Sequence, residues 1–119
     1  MNKVTWFEIP FDDSQRFHEF YTMVFGWKFN KVPSHDYYRV DFSDENDVEN
    51  KIRGGFYKRE TDVQYPMIAI QVNSIDECFK KIEKHGGKPL PPKKPIPEGG
   101  FYARFMDTEG NRIALHSPK

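Results

Sequence analysis

The sequence predicts an α+β domain built from two βαβββ units, and two observations carry that prediction. The layout repeats. Trp6 opens a short apolar strand pattern that Gly26 closes twenty residues later, and Met67 opens another that Gly87 closes at the same spacing. Between each pair lies a segment of helical periodicity, and after each come alternating runs rich in aromatic and β-branched residues. The repeats cover about residues 1–60 and 63–119 of a single domain of 119 residues, long enough for a sizeable core.

Val4–Ile9 alternates and reads as the first strand. Asp12-Asp13-Ser14 offers N-cap chemistry for a helix whose Phe17, Phe20, Tyr21, Val24 and Phe25 follow the i, i+3, i+4 rule and are expected to be buried. Gly26 ends it, because a residue without Cβ tolerates the left-handed C′ position. Trp27–Val32, Tyr37–Phe42 and Lys51–Arg59 read as three strands, the last two joined by the acidic loop Ser43–Asn50. The second unit repeats this order. Tyr65–Val72 is a strand, and Ser74 with Glu77 makes a capping box before Ile75, Cys78, Phe79 and Ile82, the buried helical face. Gly86-Gly87 stops that helix. The Pro-rich segment 88–97 allows only a short or edge strand, either a stiff connection or a lid. Phe101–Met106 and Asn111–His116 supply the last strands, joined by the turn Asp107-Thr108-Glu109-Gly110.

Composition narrows the function classes. Lys and Arg number 18, as do Asp and Glu, so there is no basic excess of the kind that grips nucleic acid or an anionic membrane. Aromatics at 16% argue for an aromatic-rich core and against disorder. The single Cys78 excludes an internal disulfide and fits a reducing compartment. No apolar run suits a signal peptide or a membrane span, so a cytoplasmic protein is expected.

Phe20-Tyr21 followed by Val24-Phe25-Gly26-Trp27 resembles a signature of the vicinal oxygen chelate superfamily, which includes glyoxalase I, bleomycin-resistance proteins and extradiol dioxygenases. Asp107-Thr108-Glu109-Gly110-Asn111 leading into Ile113-Ala114-Leu115 resembles its C-terminal turn and strand. The resemblance implies one curled, mixed, mostly antiparallel sheet around a cup, with the helices on the convex face, and a homodimer. It also implies where metal-dependent members hold their ion: on the first and last strand of each unit. Those positions fall here on Trp6, Gly55, Met67 and Ala114, and none carries a suitable donor for a hard cation. No metal and no cofactor are therefore expected.

Strand alternation, anchored by that resemblance, assigns the cup face. Trp6, Glu8, Met67, Ala69, Gln71, Arg112, Ala114 and His116 point in, as do Tyr37, Arg39, Asp41, Arg53, Tyr57, Tyr102, Arg104 and Met106. Arg39, Arg53, Arg104 and Arg112 suit a carboxylate or phosphate, because the guanidinium fork donates two parallel hydrogen bonds. Trp6 and the cup tyrosines Tyr37, Tyr57 and Tyr102 would contact the ligand's apolar or flat part, and Met67 and Ala114 complete the expected ligand-binding set. A solvated sheet face is the alternative account of the same arginines. Glu8 and His116 are the candidates for proton transfer, against plain ion pairing for Glu8 and a hydrogen-bonded strand role for His116. His18, His35 and His85 read as surface residues, and Cys78 as a small core residue.

Three functions remain open in this order: a metal-free module binding a small, anionic molecule; a metal-independent lyase- or isomerase-type enzyme using Glu8 or His116; and a metal-dependent glyoxalase-like enzyme.

Overall fold

The computed structural model describes residues 1–42, 52–61 and 63–119; the acidic loop Ser43–Asn50 and Lys51 lie outside them. The elements are β1 (Lys3–Phe11), α1 (Ser14–Phe25), β2 (Lys28–Lys31), β3 (Tyr37–Asp41) and β4 (Arg53–Lys58), then β5 (Met67–Gln71), α2 (Ile75–Lys84), β6 (Lys88–Pro95), β7 (Phe101–Met106) and β8 (Arg112–Ser117). The βαβββ order thus occurs twice. Two compact units divide the chain, one of Trp6–Pro66 and one of Met67–Lys119 with Met1–Thr5.

The units share one topology. In the first, β1 runs parallel to β4, and β4 and β2 flank β3 antiparallel to it. In the second, β5 runs parallel to β8, which pairs antiparallel with β7, and β7 pairs antiparallel with β6. Each unit therefore carries a four-stranded mixed sheet in which the first and last strands are parallel neighbours. Asn2 donates from its backbone to Gln71 O at 2.6 Å, tying the N-terminus to β5.

The helices start and stop where side-chain chemistry dictates. Asp13 accepts from the Arg16 N–H at 2.9 Å, and Ser74 accepts from the Glu77 N–H at 3.1 Å, each satisfying a donor the helix itself cannot. Gly26 closes α1 at φ +74° with its N–H on Thr22 O at 2.9 Å. In α2, Asp76 and Glu77 in the first turn and Lys81 and Lys84 in the last complement the macrodipole.

Each sheet buries one face under its helix. In the first unit Phe11, Phe17, Val40 and Phe56 form a core, with Phe7, Ile9, Tyr21, Trp27, Phe29, Tyr38 and Phe42 packed against it. Phe17 stacks between Phe11 and Phe56, its centroid 4.7 and 4.8 Å from theirs. In the second unit Val72, Ile75, Ala103 and Leu115 are covered by Ile70, Cys78, Phe79, Ile82, Phe101 and Phe105. The fully buried Phe56 and Leu115 each contribute roughly 1.5–3 kcal/mol by area removed from water.

The structure corrects several expectations. On α1 only Phe17 is buried and Tyr21 half-buried, whereas Phe20, Val24 and Phe25 are 56%, 57% and 58% exposed. The helix meets the core through its N-terminal half, and its last turns extend beyond it. Ile68, which alternation places on the side of β5 opposite Met67 and Ala69 and hence toward the core, is 42% exposed. His18 is not a surface residue. Its ring lies 4.5 Å from Phe17, 4.8 Å from Tyr38 and 4.9 Å from Phe29, and its Nε2 is buried without a hydrogen-bond partner among the described residues. Of the two forms expected of the Pro-rich segment, a short or an edge strand, the structure has the edge strand. Lys88–Pro95 pairs with β7 across a register shift, held by Lys93, which bridges Asp76 at 2.9 Å and lies 4.7 Å over the Phe101 ring.

Candidate functional site

The face of each sheet turned away from its helix carries the polar and aromatic residues. In the first unit, Phe7, Ile9, Tyr38, Val40 and Phe56 take the helix side. Alternation therefore leaves Trp6 and Glu8, Tyr37 and Arg39, and Arg53, Gly55 and Tyr57 on the other. In the second, Ile70, Ala103, Phe105 and Leu115 face α2, leaving Ala69, Tyr102, Arg104, Arg112, Ala114 and His116 opposite. The parity read from the sequence holds in both.

Strand β4 has two adjacent glycines, and each makes room for an aromatic ring on a different face. A Cβ on Gly54 would lie 2.2 Å from Phe7 ring atoms on the core side. A Cβ on Gly55 would lie 2.2 Å from the Tyr37 hydroxyl oxygen and 2.3 Å from Cζ. Neither glycine has a positive φ, so what they supply is space for close approach rather than an unusual turn.

The Tyr37 phenol seated on Gly55 is the centre of a polar relay. The Trp6 indole Nε1–H donates to its hydroxyl at 2.8 Å, and the hydroxyl is hydrogen-bonded to the Glu8 side chain. Because the indole is only a donor and an ionised carboxylate only an acceptor, the proton order is fixed: Trp6 N–H to Tyr37, Tyr37 O–H to Glu8. Burial and the neighbouring Glu8 charge push the Tyr37 pKa far above the usual phenol value, offset in part by Trp6 and Arg39. The phenol therefore stays neutral at any physiological pH. Register places Glu8 and Arg39 beside Gly55 on the two adjoining strands, so a carboxylate and a guanidinium flank the tyrosine-covered glycine.

The other candidates are placed as follows. Tyr57 is buried and donates its hydroxyl to Tyr65 O at 3.0 Å, while Arg53 is exposed. In the second unit Arg104 lies opposite Ala114 and Tyr102 opposite His116. The Arg104 guanidinium carbon is 6.0 Å from the Tyr102 ring centroid, and its Nε is buried with no hydrogen-bond partner among the described residues. His116 lies between Tyr102 and Gln71 on neighbouring strands, and desolvation lowers its pKa, favouring the neutral imidazole. Arg112 is half-buried, and Met67 and Ala114 are buried. Cys78 packs against the α2 core, where burial raises its thiol pKa and disfavours the thiolate. The relay through Tyr37 was not apparent from the residues alone, although a glycine pair inside a strand signals close approach.

The positions that metal-dependent members of the resembled superfamily use do not fit a divalent cation here. They hold an indole already donating to Tyr37, a glycine covered by the Tyr37 ring, a thioether and a methyl group. Among the described residues no three His, Cys, Asp or Glu side chains converge to replace them. No helix of the described residues is long and apolar enough to cross a membrane.

Residues 3–42 match the family described as bleomycin resistance protein-like, N-terminal. Lactoylglutathione lyase of Escherichia coli O157:H7 is 28% identical over 116 residues, covering 90% of this chain and 86% of that one. Among solved structures, a hypothetical protein from Bacillus halodurans C-125 superposes with a TM-score of 0.69 at 14% identity, over 98% of this chain and 94% of that one. A Streptomyces coelicolor methylmalonyl-CoA epimerase in complex with 2-nitronate-propionyl-CoA gives a TM-score of 0.66 at 15% identity, over 98% and 94%.

Proposed function

We propose that the chain is a glyoxalase- and bleomycin-resistance-like member of the vicinal oxygen chelate superfamily that binds a small anionic molecule without a metal. Its likeness to the bleomycin resistance protein-like family over residues 3–42 and to lactoylglutathione lyase supports the family part of the reading. The observation that carries the reading is Arg104, whose buried Nε has no partner among the described residues. An unpaired buried guanidinium N–H costs on the order of 1–3 kcal/mol, and a carboxylate or phosphate oxygen would repay it. In the same unit Tyr102, its ring centroid 6.0 Å from the Arg104 guanidinium carbon, offers flat apolar surface to the rest of such a molecule. The seating of Tyr37 on Gly55 supports the metal-free part of the reading.

A second reading is a metal-independent lyase or isomerase, favoured by the orientation of the Glu8 carboxylate through Tyr37 and by the neutral His116 imidazole. Turnover lost in Glu8→Ala or His116→Ala separates it from binding alone. A cytoplasmic homodimer is part of the proposal; sedimentation at micromolar concentration tests the assembly, and a monomer mass refutes it.

The binding reading is tested by thermal shift with a panel of carboxylates, phosphates, neutral compounds and amines. Anions are expected to raise the Tm of the wild-type chain and to lose roughly ten- to hundredfold in affinity in Arg104→Ala. Stabilisation by neutral or cationic compounds alone would reduce the arginines to a solvated sheet face.

A further inference from the structure

One row of polar side chains crosses the helix-free face of the second unit. Gln71 stands opposite His116, His116 opposite Tyr102, and Tyr102 opposite Lys94 on the edge strand. Four adjacent strands thus contribute one group each over about 14 Å. The neighbouring Lys93 bridges Asp76 of α2, which puts Lys94 on the other face. Arg104, two residues along β7, lies back over Tyr102 with its guanidinium carbon 6.0 Å from the ring centroid. Gln71, His116, Tyr102 and Arg104 are half-buried and Lys94 is exposed, so solvent reaches the row, but not the Arg104 Nε.

Two properties of the row bear on what it can hold. Its donors are unspent: among the described residues the Arg104 Nε has no acceptor, and neither the Tyr102 hydroxyl nor the His116 imidazole is hydrogen-bonded. Desolvation favours the neutral imidazole, which has one N–H to give. Its charge is also unbalanced. Arg112 shares the face, and none of the residues that alternation places there in β5, β6, β7 and β8 is Asp or Glu.

A carboxylate has two oxygens, and a single guanidinium fork occupies both. It would leave Tyr102 and His116 with nothing to donate to. A phosphate monoester has three acceptor oxygens and a charge of about −1.5 to −2. Two oxygens match the fork, the third can accept from Tyr102 and His116 together, and the second negative charge answers the surplus cations.

We propose that this row is a phosphoryl-binding site, with the Arg104 fork on two oxygens, Tyr102 and His116 donating to the third, and Lys94 adding charge from the sheet edge. The proposal rests on the anionic-ligand reading above and narrows its carboxylate or phosphate to the phosphoryl group.

Phenylphosphonate and benzoate test it, because they share a ring and differ in the acid. Affinities measured by NMR titration should favour phenylphosphonate by roughly ten- to hundredfold in the wild-type chain. Tyr102→Phe and His116→Ala should each weaken phenylphosphonate by about tenfold and leave benzoate within about twofold, whereas Arg104→Ala should weaken both acids. Inorganic phosphate binding as tightly as phenylphosphonate would make free phosphate the occupant of the same site; weaker binding would make it a phosphorylated compound. Circular dichroism checks each fold, and if His116→Ala fails to fold, Tyr102→Phe decides alone. Benzoate binding as tightly as phenylphosphonate, or a phenylphosphonate affinity unchanged in Tyr102→Phe, overturns the proposal while leaving the anionic reading standing. Binding of neither acid, together with no stabilisation by any anion of the panel, overturns both.

Discussion

Substituting Gly55 by alanine adds a single methyl, yet the geometry makes it a severe change. The new Cβ would stand 2.2 Å from the Tyr37 hydroxyl oxygen, 2.3 Å from Cζ and 2.4 Å from Cε1, where carbon contacts need about 3.5–4.0 Å. The ring must retreat by more than about 1 Å, which would stretch the 2.8 Å Trp6–Tyr37 bond past hydrogen-bonding reach. Overpacking costs about 1–3 kcal/mol, and the weakened relay adds about 1 kcal/mol or more. The expected loss is about 3 kcal/mol, or roughly 10 °C in Tm for a domain of this size. Urea denaturation of Gly55→Ala, Tyr37→Ala and the double variant gives the coupling. With the ring gone the methyl has room and the backbone φ is not positive, so Gly55→Ala should cost less than about 1 kcal/mol in the Tyr37→Ala background. An equal cost in both backgrounds would refute the reasoning, since the clash would then lie elsewhere.

Further outcomes follow from other features. His116 has a folded pKa depressed by burial, so its contribution to stability is fully present above about pH 6.5 and is lost as pH falls through the folded value. His116→Gln should flatten the decline in Tm between pH 7.5 and 5, leaving a residual slope to which His18, depressed for the same reason, contributes. Ser74→Ala removes the α2 N-cap and should cost about 1 kcal/mol by denaturant titration. Elemental analysis of the purified chain should find no stoichiometric zinc, nickel or iron. A metal that a chelator removes with loss of binding would overturn the reading of Trp6, Gly55, Met67 and Ala114.

Much of the fold was legible because its signals are periodic. Two-residue alternation put Trp6 and Glu8 on one face and Phe7 and Ile9 on the other, and a one-residue slip would have exposed an apolar row. Asp13, Gly26 and Ser74 marked helix ends through local chemistry that needs no tertiary context. Depth was not legible. Helical spacing says that Phe17 and Val24 point nearly the same way, but where the core ends is decided by the length and twist of the strands beneath. His18 was misread for a related reason, since its burial depends on Phe29 and Tyr38 arriving from other strands. The Tyr37 relay was hidden because a glycine announces only that something approaches closely. Which ring arrives is set by the pairing of β3 with β4, and that register is not written locally.

Strand β6 has a consequence for how this protein meets other chains. It ends the strand order of its unit, with prolines at positions 89, 91, 92 and 95 interleaved with Lys88, Lys93 and Lys94. Those prolines leave half of its residues able to offer a carbonyl but no amide hydrogen, and Lys88 and Lys94 place like charges along the same border, while Lys93 is paired with Asp76. An incoming extended strand would find acceptors without matching donors and could not complete a ladder. That border is thus poorly suited to runaway strand stacking of the kind that builds fibrils.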